Sequence, residues 1–408
     1  MKVFRFFLGR IFLRKPVLVA VLLALIFGCD YIIFMTTRAV VSTYEGASEV
    51  ATLNAPGTFI ANLDPDSTFD VDKISKNAIG NIYDRINEKY TFALFTDGYI
   101  IELPNKRNVE VPVAYMNQKY SELNGFELAS GAGMNFEYDL KSSDAIPVLV
   151  GKGLADDYPL NSTLSIVDPA LNKKVRYVVT GILERDQAHS NLYALDSKQY
   201  YNFSVIVPVN NSFIERAEIA FKINGLMDLA VIDTTRSEVH QLGDYINKTI
   251  SVKLNFFSQE ENIEFYHQYF KSSMVILCVI MAALVVFIFL LAVWNSIAGM
   301  RVMVREFTVN LLVGMSYGRF RRLLFGYYLM LSLVAFFAVF GMVLYSRQSS
   351  WHSGDASFMT YGLVGGVIEM DCIALMVTFL ANFIMTLSLA RFVVWRIKRV
   401  PISVGVLQ

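Results

Sequence analysis

Four long, predominantly apolar stretches, Val17 to Met35, Met274 to Val293, Leu323 to Tyr345 and Cys372 to Val394, dominate the 408-residue chain. Crossing a hydrocarbon core of about 30 Å takes roughly 20 helical residues, so each stretch is predicted to span a membrane. Charged residues make up only 18% of the chain, against about 25% in soluble domains, which argues against an ordinary soluble enzyme. The spans are very unequally spaced. The expected fold is an integral membrane α-helical protein with four transmembrane helices and a large mixed α/β extracytoplasmic domain between spans 1 and 2.

The formal net charge is zero, but the charges are segregated. Lys2, Arg5, Arg10, Arg14 and Lys15 precede the first span, and Arg301, Arg305, Arg319, Arg321 and Arg322 lie between spans two and three. Arg391, Arg396, Lys398 and Arg399 close the fourth, and Glu306 is the one acid in these three segments. Residues 37–271, by contrast, hold 21 basic and 31 acidic residues. Lys and Arg close to spans mark the cytoplasmic side, so both termini and the 296–322 segment are predicted cytoplasmic. The predicted order is a basic interfacial segment (1–16), span 1 (17–36), an outer domain with helical stalk ends (37–271), span 2 (272–295), the cytoplasmic segment (296–322), span 3 (323–346), an acidic outer loop (347–371), span 4 (372–395) and a cytoplasmic tail (396–408).

The apolar run continues past Cys29 to Met35, and the bulky Phe27 suits no cleavage site, so an uncleaved anchor is expected. Cys29, Cys278 and Cys372 all lie in or beside spans, which leaves the outer domain without a disulfide. Ser258-Gln259-Glu260-Glu261 has the form of a capping box. No proline or glycine follows before Gly299, predicting a helix of about 40 residues, or roughly 60 Å, well beyond the bilayer. The first span is expected to continue through Thr37 to Tyr44. Val175–Leu183, Phe203–Val209, Leu226–Asp233 and Thr249–Phe257 are predicted strands. A helix over Ser237–Asn247 then makes a β-α-β unit before the long helix.

No P-loop is present; Gly151-Lys152-Gly153 reads as a turn. The histidines His189, His240, His267 and His352 lack metal-ligand spacing. The chain is thus expected to be no enzyme and to carry no cofactor or metal; the membrane is its expected environment, with no nucleic-acid partner. Asp30 is the one ionisable residue well inside a span, where charge is costly. Its readings are snorkelling toward the headgroups, helix pairing, or a proton or substrate role. Asn382 and Thr378 in span 4 are candidates to bond neighbouring helices.

Arg301 to Val313 reads as a short amphipathic helix with Met303, Phe307 and Leu311 on one face and Arg301 and Arg305 elsewhere. Gly314 is its expected C-cap, and Ser316 is placed to cap the next helix. These residues make either an interfacial basic loop or a docking helix. Arg305-Glu306, followed after seven residues by Gly314-Met315-Ser316, resembles the R-E-...-G-A-S segment of FtsX/MacB-type ABC transporter permeases. Gly125-Phe126-Glu127-Leu128, Ile146 to Gly151, Tyr158-Pro159-Leu160, Val178 to Leu183 and Pro401 resemble that family's pattern in the same order. Tyr327 stands where the family often has glutamate, and the acidic tail after Pro401 is missing.

The resemblance implies a permease that moves its outer domain when a cytoplasmic ATPase turns over. Arg301, Met303, Arg305, Glu306, Phe307, Leu311 and Gly314 would then be the coupling contact. MacB carries its ATPase N-terminal to span one, whereas 16 residues precede that span here. The ABC ATP-binding subunit, with its ATP and Mg, is therefore expected as a separate chain. A second permease, identical or related, and an extracytoplasmic adaptor are further implied partners, with a peptide, antibiotic or lipid-linked cargo. The alternatives are an FtsX-like regulator of an extracellular partner such as a cell-wall hydrolase, and a receptor without an ATPase.

Overall fold

The computed structural model describes residues 7–8, 16–51, 53–106, 108–140, 145–191, 194–353, 360–361 and 364–399. It divides into two compact units. The first holds residues 1–41, 273–346 and 366–408, and the second residues 42–272 and 347–365.

Helix α1 (Pro16–Val50) opens the chain. It contributes to both units, and so runs past the Thr37 to Tyr44 extension predicted from sequence. Strand β1 (Phe59–Leu63), helix α2 (Lys76–Lys89) and strand β2 (Thr91–Ala93) follow. Ser75 caps α2 by accepting the Ala78 N–H, and Ile79, Ile82, Tyr83 and Ile86 form its buried stripe at helical spacing. A long excursion comes next: β3 (Phe95–Ile101), β4 (Val111–Asn117), α3 (Gln118–Leu123), β5 (Leu128–Gly131), β6 (Ala145–Val150), β7 (Thr163–Asp168) and β8 (Lys173–Leu183). It ends with β9 (Ala188–Asn191), β10 (Ala194–Tyr200), β11 (Val205–Val209), α4 (Asn211–Arg216) and α5 (Ile219–Met227). The chain then returns through β12 (Ala230–Ile232), α6 (Arg236–Ile250) and β13 (Leu254–Ser258).

Strands β13-β1-β12-β2 form one sheet in that order, each neighbour antiparallel. The predicted β-α-β unit before the long helix is therefore split: β1 lies between β12 and β13. With β1-α2-β2 this gives two split β-α-β units, a ferredoxin-like arrangement interrupted by the excursion. Two predicted strands are shorter than expected. Thr249 and Ile250 finish α6, because Ile250 extends its stripe of Val239, Leu242 and Ile246, and Ser251 in the left-handed region (φ 57°) ends the helix. Leu226 likewise belongs to α5, leaving the strand to begin at Ala230.

The excursion builds a second sheet in the order β3-β4-β11-β6-β8-β5, with β7 on β8. The predicted strands Val175–Leu183 and Phe203–Val209 lie at its centre as β8 and β11. One core runs under both sheets, from Phe59 and Leu254 through Ile82 to Val113, Val148, Val179 and Val207. Gly151 closes β6 where a Cβ would lie 1.9 Å from the Tyr201 carbonyl oxygen, so this glycine serves close backbone packing.

Past β13, α7 (Gln259–Phe265), a π-helical turn (Tyr266–Lys271) and α8 (Ser272–Leu312) keep residues 259–312 helical. Gly299 does not interrupt them, so 301–312 continues the second span instead of forming a separate short helix. Helix α9 (Tyr317–Ser353), β14 (Thr360–Tyr361) and α10 (Glu369–Lys398) complete the chain. Strand β14 pairs in parallel with β10, Thr360 against Lys198, so the segment between spans three and four adds a strand to the second unit.

Helices α1, α8, α9 and α10 each include a segment long and apolar enough to cross a membrane. The chain is a four-span membrane protein with a large mixed α/β domain between spans one and two. Within the first unit, Leu22, Ile26, Leu324, Tyr328, Leu389 and Val393 pack into one cluster, and Phe34, Val339, Val343 and Ala374 into another. Asp30 does not snorkel. It is fully buried and accepts a hydrogen bond from Asn382 Nδ2 at 2.8 Å. Ser332 and Thr386 bond to each other at 2.9 Å beside it, while Thr378 bonds back to Ala374 in its own helix. Arg38 and Asp371 form a buried ion pair at 2.7 Å.

Replacing Asn382 by Leu strips Asp30 of that donor and is expected to destabilise the bundle by about 1–2 kcal/mol. Combining it with Asp30→Leu is expected to recover much of the loss, measured as a double-mutant cycle by thermal melting in detergent.

Candidate functional site

The segment predicted to couple to an ATPase is helical up to Leu312, and the Val313 N–H still reaches the Val309 carbonyl at 3.0 Å. The side chains of Arg301, Met303, Arg305, Glu306, Phe307 and Leu311 lie outside the described residues, as does Pro401. Gly314 adopts φ +102°, a conformation that only glycine enters freely, and it ends the helix. Ser316 Oγ then accepts the Arg319 N–H at 3.3 Å and caps α9. The result is a tight helix-turn-helix. Val309 and Val313 are 47% and 84% exposed. Spaced four apart, they lie on the same side of the helix end. Sequence reasoning had assigned the apolar contact to the Met303, Phe307 and Leu311 row and passed over this pair.

The second unit shows how the ends of two of these helices are held. In the last turns of α1, Glu45 pairs with Lys198 on β10 at 2.8 Å. A Cβ on Gly46 would lie 2.2 Å from the Leu195 carbonyl oxygen, so helix and strand meet backbone to backbone. One turn later the Glu49 carboxylate accepts the Ser190 N–H and hydroxyl, each at 2.9 Å, and the His189 Nδ1–H at 3.1 Å. An ionised carboxylate only accepts, so Nδ1 carries the proton in this arrangement. The Tyr120 hydroxyl bonds Nε2 of the same imidazole at 3.1 Å. Burial alone would raise the Glu49 carboxyl, but the bonds and charge from His189 together with the Ser190 donors outweigh it and hold it below its ordinary range.

The other anchored end is α7. Ser258 and Glu261 make the predicted capping box, with the Ser258 N–H donating to Glu261 at 2.7 Å. Glu261 also pairs with Arg236 of α6 at 2.6 Å, and Asn262 reaches Asn54 at 3.3 Å. The helix therefore starts where β13, a strand of the ferredoxin-like sheet, ends.

Asp30 and Asn382 belong to the first unit and are bonded to each other. Among the described residues no group of His, Cys, Asp and Glu is arranged to hold a metal. Glu45, Gly46, Glu49, His189, Ser190 and Lys198 were missed from sequence. They carry no spacing signal, because the two partners lie about 140 to 150 residues apart. The one local hint is a glycine inside an otherwise helical extension of the first span.

No family model and no curated protein matches the chain. Among solved structures, it is similar to the extracellular domain of the noncanonic ABC-type transporter YknZ from Gram-positive bacteria. That likeness has a TM-score of 0.31 and 10% identity, covering 49% of this chain and 100% of that one. It is also similar to the periplasmic region of MacB from Actinobacillus actinomycetemcomitans, with a TM-score of 0.32 and 10% identity, covering 54% of this chain and 96% of that one.

A Glu49→Gln exchange keeps the shape but weakens three bonds, a loss on the order of 1.5–3 kcal/mol for bonds to a charged group. Because the folded carboxyl lies below its ordinary value of 4.5, its contribution is complete above that pH and fades as pH falls through the lowered value. Hydrogen exchange in 42–50 and 188–200 is expected to quicken in the variant at pH 7, with the difference from wild type shrinking in acid. An equal difference at both pH values would count against the charged bond.

Proposed function

We propose that this chain is the permease subunit of an ABC transporter. In this reading a separate cytoplasmic ATP-binding subunit works on the turn between α8 and α9, and the extracytoplasmic domain moves in response. The cargo is exported or extracted at the outer face and does not pass between the chain's own spans. The observation that carries the reading is the anchoring of helix ends in the interspan domain. Helix α1 is clamped by Glu45, Gly46 and Glu49, α7 begins at the end of β13, and both are helically continuous with membrane spans. Helical continuity of this kind transmits a displacement that flexible linkers would absorb.

The charge segregation supports the orientation: the basic α8–α9 turn faces the cytoplasm and the acidic domain lies outside. The resemblance of Arg305-Glu306 and Gly314-Met315-Ser316 to the FtsX/MacB coupling segment supports the place of ATPase contact. ATP and Mg2+ bind the partner subunit. A second permease completes the complex, for which the exposed apolar side of α8, including Val279, Val286 and Leu290, offers a surface within the membrane. An outer adaptor is a further expected partner.

The test is purification of the tagged full chain under mild detergent, with identification of co-purifying proteins and assay of ATP hydrolysis. A nucleotide-binding subunit is expected with the wild type, and Phe307→Asp, Leu311→Asp or Val313→Asp is expected to reduce its recovery at least tenfold, since each places a charge in an apolar contact. Absence of any ATPase from the wild-type complex would leave the basic turn as a topological anchor only.

A further inference from the structure

The π-helical turn Tyr266–Lys271 interrupts α-helical geometry between Gln259 and Leu312, and neither the anchored helix ends nor the coupling turn uses its side chains. Bonds in such a turn run from i to i+5. In an α-helix of 3.6 residues per turn, side chains five apart point in clearly different directions, whereas the wider turn brings them to one side. Phe265 therefore meets Phe270 at 5.9 Å between ring centroids. Phe265 also meets Tyr269 at 4.7 Å, and Tyr266 stacks on Phe270 at 6.4 Å. The four rings make one aromatic surface.

This surface is not spent on the chain's own packing. Among the described residues, none of the four rings belongs to a hydrophobic core cluster, and Tyr269 is 54% exposed. Lys271 is exposed beside it. The Tyr266 and Tyr269 hydroxyls and the Lys271 ammonium make no hydrogen bond or ion pair among the described residues.

Position along the helix identifies what covers the rings. Tyr269 precedes Met274, where the apolar run begins, by five residues, or about 7 Å at 1.5 Å per residue. The headgroup layer extends about 5–7.5 Å beyond the hydrocarbon on each side. Tyr269, Phe270 and Lys271 fall in that layer, with Phe265 and Tyr266 one turn above it. Tyrosine rings favour this depth because one end is apolar and the other polar. A lysine stem lies along apolar surface while its ammonium stays in the polar region. A protein covering this face would bury the ammonium and both hydroxyls and would have to supply a partner for each, whereas lipid phosphate, glycerol and water supply them at this depth.

We propose that this aromatic surface docks on the phospholipid headgroup layer, with Tyr269 and Phe270 seated among the headgroups and Lys271 paired with lipid phosphate. The docked turn sets the depth at which α8 enters the bilayer. The contact needs no ATPase and goes beyond the transporter reading.

The test is photocrosslinking of the full chain. The photoreactive residue p-benzoylphenylalanine, close in shape to tyrosine, replaces Tyr269, Tyr266 or, as a control, the exposed Gln241 of α6. Membranes of the producing cells are illuminated before any detergent is added, and adducts are identified by mass spectrometry. Phospholipid adducts are expected at Tyr269 and Tyr266 at least tenfold above those at Gln241. Adducts to a protein chain in place of lipid, or lipid adducts no more frequent than at Gln241, would overturn the proposal. If the probe at Tyr269 prevents membrane insertion, the one at Tyr266 decides by the same criteria. The Tyr269 probe is then compared with and without Lys271→Glu in nanodiscs of equal phosphatidylglycerol and phosphatidylcholine. The anionic lipid is expected to dominate the adducts at least twofold with Lys271 and to lose that excess in Lys271→Glu. An unchanged ratio would overturn the pairing of Lys271 with lipid phosphate.

Discussion

Inside hydrocarbon a peptide group has no water to turn to, so every backbone amide and carbonyl must find its partner within the protein. That constraint dictates the four helices, and it has a second effect. A helix forced to be regular across the membrane has little reason to stop at its surface when the following residues remain helix-compatible. Helix α1 accordingly reaches Val50, and residues 259–312 remain helical with one π turn. One of these ends is gripped by β9 and β10, and the other grows from β13.

The features legible in the sequence were those governed by local or one-dimensional rules. Long apolar runs identify spans, the Ser258 and Glu261 pair identifies a helix start, and the β-branched runs Val175–Leu183 and Phe203–Val209 identify strands. Boundaries were less legible where two local preferences competed. Thr249 and Ile250 are good strand residues, yet Ile250 also falls on the apolar stripe of α6, and burial of that stripe prevailed. The ferredoxin-like order could not be read at all, since the excursion from β3 to α5 separates its two halves.

The site divides in the same way. Gly314 and Ser316 were recognisable because ending one helix and capping the next are tasks of single residues. The Glu49 contact was not, because a carboxylate near the end of a helix looks solvated until a distant strand supplies its donors. Asp30 gave the opposite lesson. An acid near the end of a span suggests an escape to water, but Asn382 on another helix meets it first. In an apolar medium a hydrogen bond from a neighbouring helix removes the need for a long route to the surface.

The Gly46 contact has a mechanical consequence. Most helix-to-sheet contacts are made through side chains, whose rotamers and packing gaps give before the backbone does. At Gly46 the helix backbone rests directly on the Leu195 peptide, with no side chain between them to act as a spring. A small axial displacement of the helix is therefore passed on with little loss to compliance. Even an alanine there would have to wedge the two backbones apart, trading a stiff joint for a soft one.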